Sequence, residues 1–403
     1  MPKPSNALGV ARDRRPSQPV TLVRPHAAIR AAEFFASKFP GRSLYAVKAN
    51  PSPDLIRLLW DGGITHYDVA SIAEVRLVRG LLPHATLCFM HPVKPAEAIA
   101  EAYHIHGVRT FSLDSVEEVE KIVAATSTDG VSATDLTLCV RLRVSSAHAK
   151  LSLAAKFGVG VDEATPVLHA ARQAADALGI CFHVGSQAMS PQAYGDAMAL
   201  VRAAIVAAGV TVDVVDVGGG FPSIYPGMEA APIERYFAVI HRAFEELPIS
   251  YSAELWCEPG RALSAEYASI LVRVEKRRDD VLFINDGAYG ALFDAAHIDW
   301  RFPVELIRDV ESATKKLAFS FYGPTCDDLD FMRGPFMLPA DVQAGDYLEI
   351  GMLGAYGCAM RTSFNGFGSG DTVAVTDEPM ASNYAIAAPS HSVVTSVRKA
   401  RSS

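Results

Sequence analysis

Between Ser43 and Leu263 the chain alternates short apolar runs with longer stretches whose apolar residues recur at helical spacing. The short runs read as strands at Ser43–Ala49, His66–Ala70, Thr86–Met90, Thr110–Leu113, Leu136–Val144, Ile180–Val184, Val214–Val217 and Glu254–Cys257. Between them, Pro53–Trp60, Ile72–Leu81, Val116–Ala125, Pro166–Leu178, Ala193–Ala208 and Glu234–Glu246 read as helices. Strand and helix alternating through eight strands predict an α/β fold of the TIM-like (β/α)8 barrel type. After Arg261 the texture changes. Ala268–Val274, Val281–Ile284, Ala318–Phe321, Tyr347–Ile350 and Val373–Val375 are strand-like and separated by turns, which predicts a β-rich C-terminal domain, barrel or sandwich. The expected division is a flexible tail over 1–22, the barrel over 23–262 and the β-rich domain over 263–403.

Composition narrows the class. Half of the 403 residues are hydrophobic and 20% are charged, the profile of a globular protein with material for two cores. A net charge of −8 weighs against nucleic acid or an anionic membrane surface as partner and is compatible with a cationic small molecule. The run nearest to membrane-spanning length, Met198–Val217, carries Arg202, Asp213 and Asp216. Six scattered cysteines, with no CxxC pair and no zinc spacing, read as reduced thiols of a cytoplasmic protein without a metal site. Lys3, Arg12, Arg14 and Arg15 among prolines and serines read as a disordered basic tail, with an organellar transit segment as the alternative.

In such a barrel, chemistry sits at the C-terminal ends of the strands. Lys48 ends the first strand in Tyr45-Ala46-Val47-Lys48-Ala49-Asn50, where apolar walls would strip its amine of hydration and lower its pKa. Alone it also reads as a solvated boundary lysine. Asp68 ends the second strand, and His183-Val184-Gly185-Ser186-Gln187 ends the sixth. Gly218-Gly219-Gly220-Phe221-Pro222 ends the seventh and lets backbone N–H groups approach a phosphate, although such a run also serves as an ordinary turn. At the end of the eighth strand, Glu258 needs a cationic partner, which a protonated pyridine nitrogen would provide, and Arg261 after Gly260 reads as a further phosphate contact or as a surface ion pair. In the second domain, Gly323-Pro324-Thr325-Cys326-Asp327-Asp328-Leu329-Asp330 reads as an anionic pocket with a thiol proton donor, or as a solvated acidic loop. Tyr289 and Tyr356 are glycine-flanked phenols.

The motifs YAVKAN, HVGSQ, DVGGGFP, CEPGR, GPTCDDLD and GAYG, in this order, resemble the ornithine decarboxylase family of fold-type III pyridoxal-phosphate enzymes. The resemblance runs from about Val23 to Phe367. It implies pyridoxal 5'-phosphate held by Lys48, with Glu258 at the ring nitrogen, His183 stacked on the ring and Asp68 beside Lys48. Ser186, Gly219, Gly220, Gly260, Arg261 and Tyr356 would hold the phosphate. Asp294, Asp327 and Tyr289 would bind substrate, and Cys326 would donate a proton. The family's members are homodimers with shared active sites, and Lys156 with Asp330 becomes a candidate ion pair across that interface. The function implied is decarboxylation of a basic L-amino acid, ornithine to putrescine first, with lysine or dual specificity as the alternative. A non-catalytic relative that binds the cofactor or a regulator is the alternative of another class.

Overall fold

Short strands buried on both faces and helices buried on one side together build the first domain. In Arg42–Ala46, Leu44 points inward with Cys88, Cys139, Cys181, Val214 and Trp256, while Tyr45 points outward against Tyr67 and the helices. The computed structural model describes residues 5–385 apart from Ala154 and Ser369. Eight parallel strands close a barrel: Arg42–Ala46, His66–Val69, Thr86–Phe89, Thr110–Leu113, Thr137–Arg141, Ala177–Cys181, Val214–Asp216 and Glu254–Cys257. Closure is made by Trp256 opposite Arg42 and Cys257 opposite Ser43. The expected barrel and β-rich domain are both present.

Boundaries that differ from expectation matter for the mouth of the barrel at two places. The first strand ends at Ala46, and Lys48 lies in a 3₁₀ turn, Val47–Ala49, directly above it. The sixth strand is Ala177–Cys181 and its preceding helix ends at Ala174, so His183 and Gly185 belong to the loop beyond. Gly179 holds this register. A Cβ there would meet Cys139 Sγ at 2.4 Å, so only glycine lets the two strands pair so closely.

The second domain is a mixed eight-stranded sheet. Its main path runs Val304–Ile307, Tyr347–Ile350, Ala268–Arg278, Val281–Ile284, Lys316–Tyr322 and Phe331–Pro339. The first and last of these had no strand signal, and Phe331–Pro339 carries Gly334-Pro335, a pair tolerated here because the strand lies at the end of the path. Both chain ends contribute: Val20–Val23 pairs antiparallel to Ala268–Leu271 and parallel to Thr372–Ala374. A flexible tail over 1–22 is therefore corrected. Ala7–Arg14 is a helix capped by the Asn6 side chain, and Ala7, Val10 and Ala11 pack on Leu22, Leu271 and Val373. Residues 1–4 and 386–403 of the expected tail and second domain lie outside the described residues. Among the described residues no helix is long and apolar enough to cross a membrane.

Arg24 joins the two domains. Only 2% exposed, it donates to Ser269 Oγ at 2.8 Å, Glu349 Oε1 at 2.7 Å and Asp377 O at 3.1 Å, immediately before the helix Pro25–Lys38. Removing it leaves the Glu349 carboxyl buried without its cation. Arg24→Ala is expected to cost about 3–5 kcal/mol in denaturant unfolding, and adding Glu349→Gln to recover part of that loss. Equal stability of wild type and Arg24→Ala would refute this reading of the junction.

Candidate active site

The 3₁₀ turn above the first strand lifts Lys48 into the barrel mouth, where its side chain is 42% exposed and Nζ lies 3.2 Å from Asp68 Oδ2. Asp68 is buried at the end of the next strand. The following helix is fixed behind it, because Ser71 Oγ caps the Glu74 N–H and Glu74 Oε2 accepts the Ala70 N–H at 2.6 Å. The sequence expectation for the amine is corrected here. Burial does act to lower the Lys48 pKa, but the carboxyls of Asp68 and Glu258 outweigh it and hold the amine above its ordinary value.

Glu258 and Asp216 end neighbouring strands and face the same interior. Burial first, then the charges of Asp216 and Asp68, push the Glu258 carboxyl well above the usual carboxylate range. Asp216 is raised as well, chiefly by burial, although its Oδ1 accepts the Gly218 N–H at 2.8 Å. Its Oδ2 is buried without a hydrogen-bond partner. Burial and the mutual repulsion of these carboxyls thus raise the proton affinity of both Glu258 and Asp216. His183 is driven the other way: burial, Lys48 and Arg141 keep its imidazole neutral. Its Nδ1 accepts the Gly185 N–H at 3.0 Å, which leaves the proton on Nε2.

Beside these acids the loops form a concave backbone surface. Gly220 has φ +105°, and a Cβ there would sit 2.4 Å from Gly185 O. Ala188 N–H donates to Gly220 O at 2.8 Å, and the Tyr194 hydroxyl to Gly219 O at 2.9 Å, so the loop is held from outside. Ser186 opens the short strand Ser186–Ala188 next to this loop. Gly260 packs closely on Ala46 and Ala49, either of which would crowd a side chain there. Arg261 is buried, with its guanidinium 4.4 Å from the Trp300 ring centre and 4.9 Å from that of Tyr356. It donates to the Tyr225 hydroxyl at 3.2 Å, while its Nε has no partner among the described residues. An aromatic-walled cation with a free N–H beside a glycine loop is a built anion site. The second domain completes it, since the Tyr356 N–H donates to Ala49 O at 2.7 Å and Asp294 Oδ2 lies 3.7 Å from Arg261.

The remaining residues named from sequence stand apart. Cys326 is exposed, its Sγ 3.3 Å from Asn365 Oδ1, and Asp327 accepts from the Tyr289 hydroxyl. Among the described residues no hydrogen bond or ion pair joins either to Lys48, Glu258 or His183. Asp330 is corrected. It is buried, and its oxygens accept from Ala288 N, Thr325 N and Thr325 Oγ1, so it staples its own loop and is not free for Lys156.

A family model described as the pyridoxal-binding domain of pyridoxal-dependent decarboxylases matches residues 26–265. The chain belongs to this family. It is 32% identical to the lysine/ornithine decarboxylase of Selenomonas ruminantium, over 83% of this chain and 84% of that protein. It is 29% identical to antizyme inhibitor 2 of Xenopus laevis, over 81% of this chain and 74% of that protein. The crystal structure of the Paramecium bursaria Chlorella virus arginine decarboxylase superimposes with a TM-score of 0.80 at 26% identity, over 91% of this chain and 98% of that one. The protein is a pyridoxal-phosphate-dependent decarboxylase, as the motif resemblance implied, and the anion site with its unpaired Arg261 Nε fits the cofactor's phosphate.

Sequence reading missed two charged residues of the decarboxylase's mouth. Arg141 ends the strand Thr137–Arg141 and acts on Glu258, Asp216 and His183; its only signal was a charge closing an apolar run. Asp216 carried the same signal within Val214-Val215-Asp216-Val217. Tyr225 and Trp300, which wall Arg261, have no local signal because they arrive from distant segments.

Because Asp68 raises the Lys48 pKa, Asp68→Asn should shift the pH profile of Lys48 labelling by an amine reagent downward. Mass spectrometry of the Lys48 peptide across pH reads this directly, and an unmoved profile would remove Asp68 as the controlling charge.

Proposed function

We propose that the enzyme decarboxylates a basic L-amino acid, L-ornithine to putrescine and CO2 first, in polyamine biosynthesis. The observation that carries this is the acidic lining: Asp68 lies 3.2 Å from Lys48, Glu258 and Asp216 share the same mouth, and Asp294 lies 3.7 Å from Arg261, a setting suited to a substrate with a second ammonium. Pyridoxal phosphate, when bound, supplies the electron sink for the charge left at Cα as CO2 departs. Lys48 would hold it through Nζ, with Ser186, Gly219, Gly220, Gly260, Arg261 and Tyr356 around its phosphate. Glu258 would pair as a carboxylate with the ring nitrogen and keep it protonated. His183, neutral and flat, would cover the ring face. Asp294, Asp327 and Tyr289 would receive the distal ammonium, and Cys326 would return a proton to Cα.

A second reading, lysine or dual specificity, is favoured by the Selenomonas relative and by the small energetic difference, about 1–3 kcal/mol, that one methylene makes in a pocket. The antizyme inhibitor among the relatives keeps a non-catalytic role in view, but Lys48, Glu258, Arg261 and Cys326 are all retained here. CO2 release compared across ornithine, lysine, arginine and diaminopimelate separates these readings. The expected order places ornithine first in kcat/KM; a preference for lysine would move the assignment to the second reading, and no release from any of the four would remove the catalytic one. Glu258→Gln should fold and lose about 10²–10³-fold in turnover.

Cys326 and Asp327 bond away from Lys48, which supports a homodimer in which each loop serves the partner's barrel. Lys48→Ala and Cys326→Ala should each be inactive alone. Mixed under conditions of subunit exchange, every heterodimer should carry one intact site, about half the activity of a wild-type dimer. No recovery after demonstrated exchange would mean that each chain builds its own complete site.

A further inference from the structure

Beyond the last strand, Thr372–Ala374, the chain turns back across both domains. It passes over Gly351 of the second sheet, where a Cβ would meet Met380 Sδ at 2.8 Å, and reaches the barrel at Ser382, Asn383 and Tyr384. There it meets a buried acid. Glu266 accepts the Ser382 hydroxyl at 2.6 Å and the Asn383 N–H at 2.7 Å. Asn383 Nδ2 donates to Pro222 O at 2.9 Å, and the Tyr384 hydroxyl donates to Ala262 O. Tyr384 is buried in the barrel core, its ring 5.0 Å from that of Phe34, although it lies more than a hundred residues beyond the last barrel strand.

The two carbonyls it grips are not arbitrary. Pro222 closes the Gly218–Pro222 loop, and Ala262 directly follows Arg261, so they belong to the two segments that form the anion site. Those segments are already cross-linked to each other: Gln187 holds Ser223 through its backbone N and O, and Ser223 Oγ donates to Arg261 O at 3.3 Å. Asn383 and Tyr384 add one bond to each side of that link. We propose that Met380–Tyr384 is a strap that positions the glycine loop and Arg261 for the phosphate of the cofactor. The strap touches no reacting atom; its residues are positioning residues acting through Pro222 and Ala262. The inference rests on the assignment of the Gly218–Pro222 and Arg261 segments to the phosphate.

A positioning role differs from a structural one in what it selects. Loops held at the correct separation favour the phosphorylated ligand, whereas general stability affects ligands with and without phosphate alike. The test uses the full-length apoenzyme, titrated with pyridoxal 5'-phosphate and with pyridoxal and followed by absorbance. Wild type should strongly prefer the phosphorylated form; absence of that preference would overturn the phosphate assignment itself, independently of the strap. In Tyr384→Phe, which keeps the ring packing and loses only the hydroxyl, and in Asn383→Ala, the Kd for pyridoxal phosphate should rise several-fold, and about tenfold or more in the double variant if each variant loses about 1 kcal/mol of hydrogen bonding. The Kd for pyridoxal should change less than twofold. Equal weakening of both ligands, or no weakening of either, would overturn the strap's positioning role.

Discussion

Three carboxyl groups share the barrel mouth with one lysine and one arginine. Asp68, Asp216 and Glu258 end three strands of the same barrel, and burial makes their mutual repulsion expensive. Lys48 faces these acids and offsets part of their repulsion, and Arg141 acts on Glu258 and Asp216 in the same sense. The same constraint gives each group its chemical character. The carboxyls raise the Glu258 and Lys48 proton affinities, while burial, Lys48 and Arg141 keep His183 neutral. A core of apolar residues would be the more stable solution, so a cluster of this kind marks a functional site.

The barrel supplies rigidity at this point. Parallel strands whose register is pinned by close contacts such as Gly179 on Cys139 deliver side chains to fixed heights, and capped helices behind them hold the connecting turns. The phosphate region is assembled differently, from three loops and an arginine walled by Tyr225, Trp300 and Tyr356. Two of those rings come from beyond the barrel. The surroundings of Arg261 and the docking of the two domains are thus built from the same contacts, with Arg24 and the Met380–Tyr384 segment adding further ties. The Cys326 loop is the exception: it is ordered by Asp330 from within, and Cys326 is exposed.

The sequence by itself determined the eight strand–helix alternations, the change to β texture after Arg261, and the residues at the strand ends, because these depend on local period and on motifs of a few neighbouring residues. Lys48, Asp68, His183, Glu258 and Arg261 were all legible in that way. Tertiary structure decided what no local pattern encodes. It set the Lys48 pKa in the opposite direction to burial, since the deciding charges come from strands far apart in sequence. It turned Ala7–Arg14 from an apparent tail into a packed helix, because its apolar face has a partner only in a sheet formed by both chain ends. It committed Asp330 to its own loop, and it brought Asn383 and Tyr384 to the backs of two loops more than a hundred residues earlier. Spacing along the chain fixes which residues share a strand or a helix face, but which charges meet in a buried mouth depends on how the whole chain closes.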